Sequence, residues 1–198
     1  MRGLSARYDR AVAAIDAANA DDPNRVMVRG NDEPLALAHG RLAVGWVTRL
    51  VPDADDALLL AARAHHLRRW EMPRTSYPEG KAGYLRWKRD QRARHARDVE
   101  ALLAGAGYDA ATIERTQALI RRDDLRTDPG AQTIEDAACL VFLETQLASV
   151  ADRLDHAHLL DVLRKSARKL SPAGLAAVAD VPLDDVGRTL LAEALAER

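Results

Sequence analysis

Six histidines stand in this chain: His39, His65, His66, His95, His156 and His158. Imidazole titrates near neutrality, and its neutral ring nitrogen is the commonest protein ligand for a metal ion. A lone histidine is ordinarily a satisfied core or surface residue. Here four of the six, His39, His65, His66 and His95, fall on three successive stretches that read as packed helices. An unpaired buried imidazole is costly, so the adjacent pair His65-His66, in an apolar run, needs partners. A divalent metal is one candidate, and Asp136 is the oxygen donor that would complete such a site. Its ordinary role is to sit in the first turn of a helix, where a carboxylate is worth roughly 0.3–1 kcal/mol against the helix dipole. Glu144 lies two helical turns further on and is expected to share its face. His156 and His158, at a polar helix start, are expected to be structural.

A second group of reactive side chains follows the histidine pair directly. Arg68, Arg69, Arg74, Lys81, Arg86, Lys88 and Arg89 alternate with Trp70, Tyr77, Tyr84 and Trp87. Guanidinium groups grip phosphate bidentately, and aromatic rings stack on bases and sugars. This mixture suits a phosphorylated small molecule or nucleotide. It equally suits a solvated basic face whose aromatic rings plug the core and whose ion-pair partners are Glu71, Glu79 and Asp90.

The elements that must position these residues read as helices throughout. Apolar residues recur at helical spacing over 8–20, and Asp21-Asp22-Pro23-Asn24 ends that run. Residues 26–32 look irregular, with a turn at Gly30-Asn31. Pro34 opens a helix to about residue 50 that carries His39. Asp53 begins the next, whose span 57–70 is apolar almost all round, as in a buried helix. Pro73, Pro78, Gly80 and Gly83 interrupt the pattern. Helices follow over 84–104 and 110–122, the second capped by Asp109. Thr133 with Asp136 three residues on resembles a capping box opening the next apolar helix. A helix over 157–170 and a further pair beyond Ser171-Pro172 close the chain.

Composition narrows the possibilities. The 198 residues suffice for one domain with a substantial core, and the expectation is a single all-α bundle. Lys+Arg total 29 against Asp+Glu 30, a balance that makes a nucleic-acid partner unlikely on charge. Cys139 is the only cysteine, which excludes an internal disulfide and a cysteine-based zinc site. The first 20 residues lack the apolar run of a signal peptide. No stretch reaches the roughly 20 apolar residues needed to span a bilayer, so a cytoplasmic protein without a membrane partner is expected. Oligomeric state is not specified by any of these features.

The stretch 58–67, an apolar run ending Ala64-His65-His66-Leu67, resembles the signature helix of the HD (His-Asp) phosphohydrolase superfamily, with His66 where that superfamily has its aspartate. His95-Ala96-Arg97, Gly107-Tyr108-Asp109 and Leu119-Ile120-Arg121 resemble its next helical hairpin, and Gln132-Thr133-Ile134-Glu135-Asp136 resembles the segment supplying its last ligand. The second hairpin histidine of binuclear members is missing near Arg122-Asp123. The resemblance covers an HD-like core of about 35–155, with helices of 157–198 packed on it. A closer likeness covers nearly the whole chain. Ala14-Ile15-Asp16-Ala17-Ala18-Asn19, His66-Leu67-Arg68-Arg69-Trp70-Glu71-Met72-Pro73-Arg74, Gly83-Tyr84-Leu85-Arg86-Trp87 and Glu135 through Glu144 resemble domain-of-unknown-function family 4202, in which the second residue of the His65-His66 pair is the typical histidine.

The likeness to family 4202 itself implies little chemistry, while the HD resemblance implies a metal-dependent hydrolase. Its divalent ion (Mn, Fe, Zn, Mg or Ni are not distinguished) is held by His66, His95 and Asp136, with His65 and His39 as further ligand candidates. Arg69 or Lys81 neutralises charge developing on a phosphate, while Arg68, Arg74, Tyr77, Tyr84, Arg86, Trp87, Lys88 and Glu144 contact the substrate. Two other readings stay open: a di-iron oxygenase of the HD type, and a domain that binds an anionic ligand without catalysis.

Overall fold

The computed structural model describes residues 5–196, and the chain is mostly helical with one small two-stranded sheet. Capping residues punctuate it. The side chains of Ser5, Asp55, Asp109, Asp128, Asp155 and Ser171 each accept a backbone N–H from the first turn of the helix they precede, satisfying donors that would otherwise be orphaned. The helices so started are α1 (Ala6–Asn19), α3 (Asp56–Ala64), α5 (Ala110–Arg121), α6 (Pro129–Ala151), α7 (His156–Ala167) and α8 (Pro172–Ala177). Asp184 does the same for α9 (Asp185–Ala196), and α2 (Leu35–Leu50) and α4 (Gly80–Ala106) are the other α-helices among the described residues.

Between α1 and α2 the segment expected to be irregular forms a hairpin, β1 (Arg25–Val28) with β2 (Asn31–Pro34). Its two turn residues, Arg29 and Gly30, have φ of 50° and 85°, the left-handed pair that a tight two-residue hairpin needs. Each strand has only four residues, too few for alternation to stand out. The hairpin ends at the α2 N-terminus, where buried Asp22 accepts the Ala36 N–H at 2.9 Å while holding Asn24 through its backbone and side-chain nitrogens.

One hydrophobic core runs through the bundle. Ile15, Val47, Leu60, Leu67, Val99, Leu103, Leu119, Ile120, Leu140 and Leu163 are essentially excluded from solvent. Helix α3 is central: it packs on α1, α2, α5 and α6, which is why its sequence is apolar nearly all round. It is also shorter than its composition suggests. The helix stops at Ala64, and Arg68 turns left-handed with φ 48°, a conformation rare outside glycine and asparagine. The Arg68 N–H is held there by the side-chain oxygen of buried Asn19 at 2.9 Å. His65 and His66 therefore lie just past a helix end, not within a helix. Helix α6 also differs from expectation. Asp128, not Thr133, is its cap, so Thr133 and Asp136 lie inside the helix and Thr133 Oγ1 donates to the Pro129 carbonyl at 2.9 Å.

Close approach of α2 to α3 depends on Gly40. A Cβ there would stand 2.5 Å from the Arg63 carbonyl oxygen, whereas one at Gly45 on the same helix would meet nothing within 4 Å. Gly40→Ala should cost about 1–3 kcal/mol through backbone displacement, while Gly45→Ala should stabilise by about 0.5–1 kcal/mol through helix propensity. Urea unfolding of both variants against the parent chain measures the pair. Equal effects of the same sign would show that the helices do not meet at Gly40.

Candidate functional site

Four histidines from α2, the end of α3 and α4 meet in the interior. The ring of His66 lies 5.2 Å from that of His39, 4.1 Å from His65 and 6.3 Å from His95, centre to centre. Hydrogen bonds within the group fix its protons. Thr145 Oγ1 donates its hydrogen to the Val141 carbonyl at 2.7 Å, so it can only accept from His39 Nε2, 3.0 Å away. His39 Nδ1 is then bare and accepts the Nδ1–H of His66 at 3.0 Å. This leaves Nε2 of His66 as an unprotonated lone pair. By the same logic the Nδ1–H of His65 donates to the Ala62 carbonyl at 2.8 Å. His65 Nε2 is thus a second bare nitrogen, buried and without a hydrogen-bond partner, and neither nitrogen of His95 completes a hydrogen bond of ordinary geometry.

The electrostatics keep all four rings neutral. Burial, then the charge of Arg69, pushes His39 down to about 4. The same two causes push His95 to about 3, against a small opposing pull from the Leu67 backbone. His65 and His66 are lowered well below the ordinary value, first by burial and then by Arg122 and by the His65 ring respectively. Arg122 is itself buried. Its guanidinium donates to the Ile120 carbonyl at 2.8 Å and lies 3.3 Å from Glu135 Oε2, which also takes Arg92 Nη2 at 2.8 Å. Arg69 and Arg122 thus both bear on an uncharged imidazole cluster.

His66 is half-buried and forms part of the wall of a cavity of about 400 Å³, together with Asp22, Asn24, Arg69, Met72 and Trp87. The Arg69 guanidinium lies over the Trp87 ring at 4.5 Å. The loop carrying Arg69 is tied to α4: Trp87 Nε1 donates to the Met72 carbonyl at 2.9 Å, and Gln91 Nε2 donates to the Arg69 and Met72 carbonyls at 2.9 and 2.8 Å.

The structure therefore brings together His39, His65, His66, His95, Arg69 and Trp87, and does not bring the other expected residues to them. Asp136 accepts the backbone N–H and the hydroxyl of Ser171 at 2.9 and 2.5 Å and the Gln132 amide at 2.8 Å. It secures the start of α8. It also lies nine residues before Thr145 on α6, about 13 Å along the axis and half a turn round from the residue that touches His39. Glu144 takes the Trp46 indole N–H at 3.1 Å and faces Arg29 at 3.4 Å. Arg74 folds back on the carbonyls of Tyr77 and Pro78, and the Tyr77 hydroxyl is engaged by Asp90 and Met72. Arg86 lies 3.7 Å from Asp90. Lys81 and Arg68 are exposed away from the cavity wall, Tyr84 is half-exposed beside Trp87, and Lys88 points into a different cleft. Sequence reasoning missed Thr145, Arg122 and Asp22. Asp22 read as a turn residue, and no local pattern marks a threonine that will accept from a histidine 106 positions away.

Bare imidazole nitrogens are present: His65 and His66 each have an unprotonated Nε2, and His95 has a nitrogen without a hydrogen-bond partner. Imidazole favours zinc, iron or nickel over the harder magnesium. No carboxylate hydrogen-bonds to any of the four rings, and no group of three or more His, Cys, Asp and Glu side chains stands ready to coordinate a metal among the described residues.

Two outcomes follow. Because these histidines bind protons more weakly folded than unfolded, the unfolded chain takes up more protons below pH 6.5, and stability should fall as the pH drops from about 6.5 towards 4 while staying flat above 7. His39→Gln should flatten that slope in urea titrations at stepped pH; an unchanged slope would mean His39 is not held neutral. Nitrogen-15 NMR should find the proton on Nε2 in His39 and on Nδ1 in His65 and His66. Thr145→Val should disturb the first and third of these, and the opposite tautomers in the parent chain would refute the proton order.

Among the described residues no helix is long and apolar enough to cross a membrane. No curated protein and no solved structure matches the chain. One family model does, over residues 9–191, and its description is Domain of unknown function (DUF4202). With nearly the whole length covered, the chain belongs to that family.

Proposed function

We propose that this protein is a metal-dependent phosphohydrolase of the HD type acting on a small phosphorylated molecule or nucleotide, with its reacting centre where His66 meets the cavity of Arg69 and Trp87. The observation that carries this reading is the bare Nε2 of His66. A proton chain from His39 to Thr145 holds that nitrogen unprotonated on a half-buried ring, in the wall of the same cavity as Arg69, whose guanidinium forms no ion pair among the described residues. A lone pair of that kind serves a metal or a proton, and the arginine beside it serves an anion.

In this reading His66, with His65 and His95, provides nitrogen ligands. His39 is a positioning residue, since both its nitrogens are engaged and it acts by fixing the His66 tautomer. A bound divalent ion supplies a water whose pKa falls towards about 7. Arg69, lying over the Trp87 ring, would receive the phosphoryl oxygens and offset charge gained in the transition state. Trp87 and Trp70 line the cavity, where an apolar or planar portion of the substrate would rest. The imidazole-rich donor set favours zinc, iron or nickel, and an iron-loaded form keeps the oxygenase reading in play.

A second reading, binding of an anion without catalysis, is favoured by one observation: Asp136, the expected acidic ligand, is committed to Ser171 and Gln132.

Elemental analysis separates these readings. Stoichiometric zinc, iron or nickel is expected in the parent chain and absent from His66→Ala. Arg69→Met should keep the metal and lose at least tenfold in kcat/KM on a phosphomonoester, about 1.4 kcal/mol or more. Asp136→Asn should lower stability by about 1–3 kcal/mol through the broken cap with metal content unchanged. Stoichiometric metal in His66→Ala overturns the ligand assignment, and a metal-free parent chain that binds phosphate tightly establishes the second reading instead.

A further inference from the structure

The cations of the basic segment do not share one face. Trp87 points into the cavity of His66, and its neighbour Lys88, about 100° round α4, points into a separate cleft of about 290 Å³ lined by Leu85, Lys88, Arg89, Arg92, Arg121 and Asp123. The arginines there have partners. Arg89 reaches Asp90 at 2.9 Å, Arg92 reaches Glu135 at 2.8 Å and Arg121 reaches Asp123 at 2.7 Å. Lys88 has none. Its ammonium stands 5.6 Å above the Tyr84 ring and forms no hydrogen bond or ion pair among the described residues. Burial first, then the charges of Lys169 and Arg92 against the opposing pull of Glu135, push it down to about 8. With the three arginines each paired to a carboxylate, the half-buried Lys88 ammonium is left without an ion-pair partner of its own, a positive charge that an anion in the cleft would relieve.

We propose that this cleft is a binding site for a small phosphate-type oxyanion, with Lys88 as its central contact and Arg121 and Arg92 at its edges. The volume holds a phosphate or pyrophosphate group with several waters, at about 30 Å³ for each water. A polynucleotide is the less favoured ligand, because the chain carries a net charge of -1 and the arginines of the cleft are each tied to a carboxylate. The site is independent of any metal at the histidines.

Lysine acylation read by mass spectrometry tests it on the intact chain, which has Lys81 and Lys165 as internal references. At pH 7.5 Lys88 should react faster than Lys81 and Lys165, and saturating inorganic pyrophosphate should slow it at least tenfold while leaving those two unchanged. Calorimetry should show pyrophosphate affinity weakened at least tenfold by Lys88→Met. Arg69→Met should retain the protection of Lys88, which separates this cleft from the cavity of His66. Unaltered Lys88 reactivity with pyrophosphate, or loss of protection in Arg69→Met, overturns the assignment. Protection by a single-stranded RNA of about twelve nucleotides but not by pyrophosphate overturns it in favour of a nucleic-acid face.

Discussion

Four imidazoles can occupy one interior only while none of them is charged. Desolvation disfavours each protonated ring, and each proton added to one ring raises the cost for the next. The whole centre of this bundle is arranged around that condition. His39, His65, His66 and His95 are all held far below their ordinary titration range, and the few protons that remain are ordered by fixed acceptors: the Thr145 hydroxyl, the Ala62 carbonyl and the neighbouring His39 ring. Because Thr145 has already given its proton to Val141, one hydroxyl on α6 decides which nitrogen of His66, on the far side of His39, is bare. The chemistry of the cavity is thus written by a residue outside it.

The backbone makes the same arrangement possible. A continuous α3 would carry His65 and His66 on faces about 100° apart. Ending the helix at Ala64 and turning at left-handed Arg68 lets the two rings lie 4.1 Å apart. Asn19 secures that turn from one side, and Trp87 and Gln91 hold the following loop from the other. Three elements distant in sequence, α1, the loop after α3 and α4, therefore converge on one short stretch of main chain.

Much of this was legible in the sequence and some of it was not, for definable reasons. Helix starts were readable wherever a serine or aspartate preceded an apolar run, as at Asp109 and Ser171, because the capping bond is local. The grouping of His39, His65, His66 and His95 was readable because apolar periodicity on successive helices implies which faces meet. The end of α3 was not, since it depends on Asn19 from another helix and the sequence there stays apolar through Leu67. Asp136 misled for a related reason: beside Thr133 it has the appearance of a helix start, yet the cap five residues earlier at Asp128 moves it into the helix body, where Ser171 takes both its oxygens. The spread of the basic residues over two clefts needed the phase of α4, which no composition count supplies.

The charges around the histidines also set terms for any occupant. The charges of Arg69 and Arg122 both act on the rings, and of the two Arg122 alone is balanced by a carboxylate, Glu135. A cation among the imidazoles would meet uncompensated positive charge from Arg69. An anion in the cavity would neutralise that charge and make the cation less costly. In the proposed function, binding of the two would therefore be coupled in the favourable sense, each raising the affinity for the other by the same factor. With the carboxylate of Asp136 directed to α8, compensating negative charge for such a cation would come from the anion.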